Sequence, residues 1–162
     1  MGGVERDRLI SHAKFGKPHL EIREPIVARP GASKRVREVL ARRNAVVKGE
    51  WGLWIYCCTW EVFFNDRQIA HSESSDTRIM RAANFLNGQK LVRFSIVPRG
   101  TRCVFEFDLG GVLKTRPYSR TNEQWLLYEP TGKVLTLRAD KCYSHHSSNR
   151  PENQTDWKSI QL

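Results

Sequence analysis

No stretch of this chain approaches the roughly 18 consecutive apolar residues of a membrane span, and its start has no apolar core of signal length. The opening residues, Met1-Gly2-Gly3-Val4-Glu5-Arg6-Asp7-Arg8, are chiefly glycine and charge. Neither export nor bilayer insertion is expected. Cysteines are few: Cys57, Cys58, Cys103 and Cys142 occupy apolar alternating positions instead of loop ends. That placement suits reduced thiols serving as small core residues and argues against a disulfide framework. A reducing cytoplasm is the expected location.

Acidic residues are the scarcer charge, 17 against 27 Lys and Arg, giving a formal net charge of +10. The excess is concentrated early, since residues 1–50 hold twelve basic and six acidic groups. A field of this sign draws in polyanions or acidic protein surfaces before any contact forms, without choosing among them. Arg outnumbers Lys about two to one, which favours bidentate contacts to phosphate or carboxylate.

With 162 residues and 40% of them apolar, the chain is long enough to enclose a core with one sheet and a helix or two. The expected organisation has three parts: a basic arm with a short amphipathic helix over 1–47, a sheet domain over 48–146, and a polar tail over 147–162. In the arm, Leu20–Arg23 and Ile26–Val27 suit short extended pieces. After Pro30-Gly31, Ser33 is an N-cap, Val36, Val39 and Leu40 recur at helical spacing, and Lys34, Arg35, Arg37, Arg42 and Arg43 form a basic outer face.

Residues 51–64 read as one long central strand. Trp54, Tyr56, Cys58, Trp60, Val62 and Phe64 share one side of a period-two pattern, and Trp51, Leu53, Ile55 and Cys57 make the other side apolar at first. Asn65-Asp66 marks a turn into a returning strand over 68–71. Ser74-Ser75-Asp76 caps a helix over 76–86 that Asn87-Gly88 ends. Short runs then alternate with turn residues: 91–97, 103–108, 112–115, 124–129, 134–138 and 142–145. The expected fold class is therefore α+β, an antiparallel meander of about six to eight strands with one or two packed helices.

Few residues suggest chemistry. Cys142 with His145 and His146 is the most metal-like group, but structural zinc is normally announced by paired ligands at short loop spacing. His145 and His146 alternate across a strand, so they face opposite ways and do not share a pocket; His12 and His19 lie in the arm, where solvated surface is expected. Glu106 and Asp108 share a strand face, as carboxylates of a nuclease or glycosidase would, yet no further acid or lysine lies in register. Their face is opposite to Cys103, Phe105 and Phe107, so a solvated side or a turn acceptor accounts for them. Gly110-Gly111 lacks the Lys-Ser/Thr of a phosphate loop and reads as a hairpin. No catalytic residue, metal ligand or cofactor is assigned.

The segments Leu86-Asn87-Gly88-Gln89-Lys90-Leu91, Phe105-Glu106-Phe107-Asp108-Leu109-Gly110-Gly111 and Trp125-Leu126-Leu127-Tyr128-Glu129-Pro130-Thr131-Gly132-Lys133-Val134-Leu135 carry a resemblance. Across residues 48–146 the chain resembles a family of small bacterial α+β proteins and is loosely similar to cytoplasmic immunity proteins, which neutralise toxins by covering their active sites. The family pattern implies one short α+β domain; a compact sheet without a complete catalytic constellation leads to the expectation of a non-catalytic protein-binding module with a protein partner, toxin-neutralising in the manner of immunity proteins. Immunity proteins against nucleases are often acidic, so a basic chain implies a partner with an acidic face.

Two alternatives remain open. One is nucleic-acid binding through Lys34, Arg35, Arg37, Arg42 and Arg43, or along a sheet path with Arg93, Arg102, Arg116 and Arg120. The other is a hydrolase, metal-free or metal-dependent, using His145 or the Glu106 and Asp108 pair.

Overall fold

The computed structural model describes residues 13–97, 101–150 and 155–161. Residues 1–12 with His12, part of the expected turn at 98–100, and 151–154 of the expected tail lie outside the described residues. In chain order the elements are β1 (Ala13–Phe15), β2 (His19–Arg23), α1 (Lys34–Leu40), β3 (Asn44–Lys48), β4 (Trp51–Ile55), β5 (Cys58–Phe64) and β6 (Arg67–His71). There follow α2 (Asp76–Leu86), β7 (Leu91–Val97), β8 (Arg102–Phe107), β9 (Gly111–Pro117), β10 (Glu123–Tyr128), β11 (Lys133–Arg138), β12 (Cys142–Ser147) and β13 (Lys158–Ser159). Among the described residues no helix is long and apolar enough to cross a membrane.

The α+β class and its antiparallel pairing stand, but the expected single meander does not. The strands form a five-stranded sheet, β6-β5-β9-β8-β7, and a six-stranded sheet, β1-β4-β10-β11-β12-β13, whose last member is the two-residue β13. A separate ribbon pairs β2 with β3. The split arises at a corner that also corrects the expected single strand over 51–64. The stretch breaks at Tyr56-Cys57, where β4 leaves one sheet and β5 enters the other.

The two residues of the corner shift the alternation. Leu53 and Ile55 are buried before it, and Cys58, Trp60 and Val62 after it. Trp54 and Tyr56, expected on the same side as Trp60, therefore lie on the opposite face of β4, where their rings meet edge to face. β9 and β10 cross between the sheets at the same place. Tyr56 and Cys57 donate their amides to Gln124 and Glu123 carbonyls, and Tyr118 donates to the Cys57 carbonyl. Gln124 is fully buried here: its amide nitrogen donates to the Arg138 carbonyl at 3.3 Å, and its oxygen accepts from Cys58 Sγ at 3.7 Å.

The core fills the space between the sheets. Leu53, Ile55, Trp125, Leu127 and Leu137 from one sheet meet Trp60, Val62, Cys103, Phe105 and Leu113 from the other. Each such side chain contributes about 1.5–3 kcal/mol by leaving water. α2 closes the end opposite the corner, burying Ile79, Ala82 and Leu86 and setting Phe85 against Phe64 at 4.7 Å. Its bounds agree with the apolar spacing at 76–86, Ser75 is its N-cap residue, and Asp76 lies in its first turn.

At the chain's end, β13 pairs with β12 at Cys142 and Tyr143. Ile160 packs against the core, and the Arg138 guanidinium lies 4.8 Å from the Trp157 ring centroid. Polar composition hid this return, because among the described residues of the tail its apolar anchors are Trp157 and Ile160.

Candidate functional site

Three surfaces have chemistry to offer. The first is the seam between the sheets on the β7 side. β7 is the edge of the five-stranded sheet: it pairs with β8, and no strand among the described residues pairs with its other side. Val92 is 63% exposed, Val97 40% and Phe94 37%. Natural sheets normally blunt a seven-residue edge of this kind, because its open amides and carbonyls are a template for another strand.

Beside this edge lies a cleft of about 260 Å³. Phe94 and Ile96 of β7 form one wall, and Trp125, Leu135, Leu137 and Tyr143 form the other, with Ile160 at its border. Phe94, Phe105 and Trp125 make a closed ring triad, with centroids 5.0–5.4 Å apart. Phe94 thus belongs to the core and to the surface together. Thr101 ties the sheets at one end of the seam by donating its hydroxyl to the Ala139 carbonyl at 3.1 Å.

Behind the triad sits Cys103, which donates weakly to the Thr101 carbonyl. The Trp125 indole and Thr115 hydroxyl neighbour its sulfur and favour the thiolate, but burial outweighs them and pushes the thiol up to about 11. Trp125 Nε1 and Thr115 Oγ1 are buried with no hydrogen-bond partner, so the soft sulfur is their nearest compensation. All four cysteines are free thiols. Burial, and then the Asp140 carboxylate, also raises Cys142. Neither Cys103 nor Cys142 is tuned as a nucleophile.

The second surface is the arm. α1 is capped by Ser33, whose hydroxyl accepts the Val36 amide at 3.3 Å, and none of its residues is buried. Lys34, Arg35 and Arg37 stand on this exposed helix, with Arg42 and Arg43 just beyond it; Arg43 pairs with Glu24 at 3.0 Å. Leu20 and Ile22 are exposed on one face of the β2–β3 ribbon.

The third is the outer face of the five-stranded sheet. Arg93, Arg102 and Arg116 share this face with Lys114, but register sets Arg102, Lys114 and Arg116 close together and leaves Arg93 opposite Glu106, four residues along β8. Arg120 lies off the sheet, in the β9–β10 connection.

The residues weighed for catalysis do not converge. His145 donates to Glu129 at 2.8 Å, whereas the His146 Nδ1 contacts its neighbour's carbonyl. Glu106 faces Arg93 at 3.8 Å, and Asp108 accepts the Lys90 amide at 2.8 Å. The Asp108 contact binds the start of β7 instead of the glycine turn that follows Asp108. Among the described residues no three His, Cys, Asp or Glu side chains are arranged to hold a metal ion. Sequence reasoning missed the seam, whose signal was the unbroken apolar alternation of Val92, Phe94 and Ile96 in a strand with no assigned neighbour. Comparison of the chain with models of protein families, with curated proteins and with solved structures gives no match in any of the three.

Proposed function

We propose that the protein is a non-catalytic protein-binding module that captures an extended segment of its partner along β7. The observation that carries this reading is the open, partly apolar edge of β7 beside an apolar cleft. A strand added there completes the backbone hydrogen bonds of the edge and sends alternate side chains into the cleft, as in β-augmentation. Side chains of the other parity emerge beside Arg93 on a molecule of net charge +10. The captured segment therefore alternates apolar with acidic residues. In the immunity-type form of this reading the partner is a toxin, and the captured strand holds the inhibitor over its active site.

The test uses a peptide of about nine residues alternating valine and glutamate, long enough to cover β7. Saturable binding that protects the amides of β7 from hydrogen exchange supports the reading. Val92→Lys and Phe94→Asp should each weaken it at least about tenfold, and a scrambled peptide of the same composition should not bind. No binding, or protection confined to the arm, overturns it.

A second reading is nucleic-acid binding through Lys34, Arg35, Arg37, Arg42 and Arg43. It draws on the first four of these cations, which have no carboxylate partner among the described residues. Mobility shifts of a duplex that fade steeply with salt and vanish in Arg35→Glu/Arg42→Glu support it. A duplex that never shifts removes it.

A further inference from the structure

We propose that the outer face of the five-stranded sheet carries a separate site for a phosphate-bearing ligand, centred on Arg102, Lys114 and Arg116. These residues line a groove of about 450 Å³, with Thr59, Glu61 and His71 along the β5–β6 side. That volume is in the range of small-ligand sites. The register is specific: Thr59 lies opposite Arg116, Glu61 opposite Lys114, and Val104 opposite Lys114 on the other side. Since Cys103 is paired with Thr115, Arg102 and Arg116 become cross-strand neighbours on the outward face.

Like charges facing each other across a ladder destabilise a sheet, and cross-strand acids are the ordinary remedy. Here the remedy is partial: Glu61 stands opposite Lys114, but the residues in register with Arg116 and Arg102 on their outer sides are Thr59 and Val97. Among the described residues none of the three cations has an ion pair. Glu61, the acid nearest in register, accepts instead from Gln68 Nε2 at 2.8 Å. Lys114 is held over the Phe63 ring, 4.2 Å from its centroid. Thr59 donates its hydroxyl to the Arg116 carbonyl at 3.2 Å, fixing that edge of the groove.

His71 adds a neutral donor. Its Nδ1 accepts the Glu73 amide at 3.2 Å, which leaves the ring proton on Nε2. Two guanidinium forks, an ammonium and an imidazole N–H make a donor set matched to the several oxygens of a phosphate. Phe63, the ring set among these cations, is covered by Lys114. Recognition falls on the phosphate itself.

Titration with pyrophosphate and, separately, with a twelve-residue oligothymidylate at about 50 mM salt tests the site and its source of phosphate. Pyrophosphate is expected to bind with amide shifts confined to β5, β8, β9 and the His71 end of β6. Arg102→Gln/Arg116→Gln should weaken it at least about tenfold, and the ligand-free double variant should melt no lower than the parent, since the opposed charges are gone. Tighter binding by the oligonucleotide, displaced by pyrophosphate, makes a polynucleotide backbone the source. Equal or weaker binding makes it a small organic phosphate. Failure of both ligands to bind overturns the proposal, as does unchanged binding to the double variant or unfolding of that variant.

Discussion

Gln89 and Gly111 are locked together where α2 meets β9. The buried Gln89 Oε1 accepts the Gly111 amide at 3.1 Å, and its Nε2 donates to the Phe85 carbonyl at 2.8 Å. One side chain thus ends the helix and starts a strand of the five-stranded sheet. A Cβ built on Gly111 would lie 2.7 Å from both Gln89 Oε1 and Leu86 Cδ2. Gly111→Ala should therefore cost about 1–3 kcal/mol by overpacking. Gly52→Ala, where the nearest atom is Tyr128 Cβ at 3.8 Å, should stay within about 0.5 kcal/mol. Urea denaturation of both variants checks the contrast.

Cys103 makes stability fall in alkali. Its thiol is raised from 9.0 to about 11 in the fold, so from pH 9 upward the unfolded chain loses a proton that the folded chain keeps. The contribution is whole below pH 9 and is lost as pH rises towards 11, by about 2–3 kcal/mol in all. Denaturation midpoints measured from pH 8 to 10.5 should decline more steeply in the parent than in Cys103→Ala.

Thr115 carries a buried hydroxyl with no hydrogen-bond partner. Thr115→Val removes that group while keeping the branched shape, so it should be neutral or stabilising by about 0.5–1 kcal/mol. A loss beyond 1 kcal/mol in thermal unfolding would show that the hydroxyl contributes to the Cys103 neighbourhood.

The β5–β6 hairpin turns on Asn65 and Asp66, with φ of 47° and 63°. Both positions are left-handed, the geometry of a two-residue turn in which Asn-Gly is preferred. Asp66→Gly should raise stability by about 0.5–1 kcal/mol, read as an increase in melting temperature.

The hairpins and α2 were legible in the sequence because their signals are local. Asn65-Asp66, Gly110-Gly111 and Pro130-Thr131-Gly132-Lys133 mark their turns, and Ile79, Ala82 and Leu86 repeat at helical spacing. The corner was hidden because Trp54 and Tyr56 are as apolar as the residues that face inward, so the alternation reads straight through the break. Only the pairing of Tyr56 with Gln124, far along the chain, reveals it. The basic groove was half visible. Arg102 and Arg116 stood out as cations, but their adjacency depends on the Cys103–Thr115 register, which no short window contains.

At the corner, β4 continues into β5 and β9 into β10, so the chain crosses between the two layers twice at one place. Cleaving the backbone at Tyr56 or Tyr118 would leave the five-stranded sheet on one fragment but divide the six-stranded sheet between the two, β1 and β4 parting from β10–β13. Deleting one residue between Ile55 and Cys58 would turn the tryptophan-bearing face of β5 towards water. The seam beside β7 takes one wall from each sheet, so it is complete only once both sheets have formed and packed together.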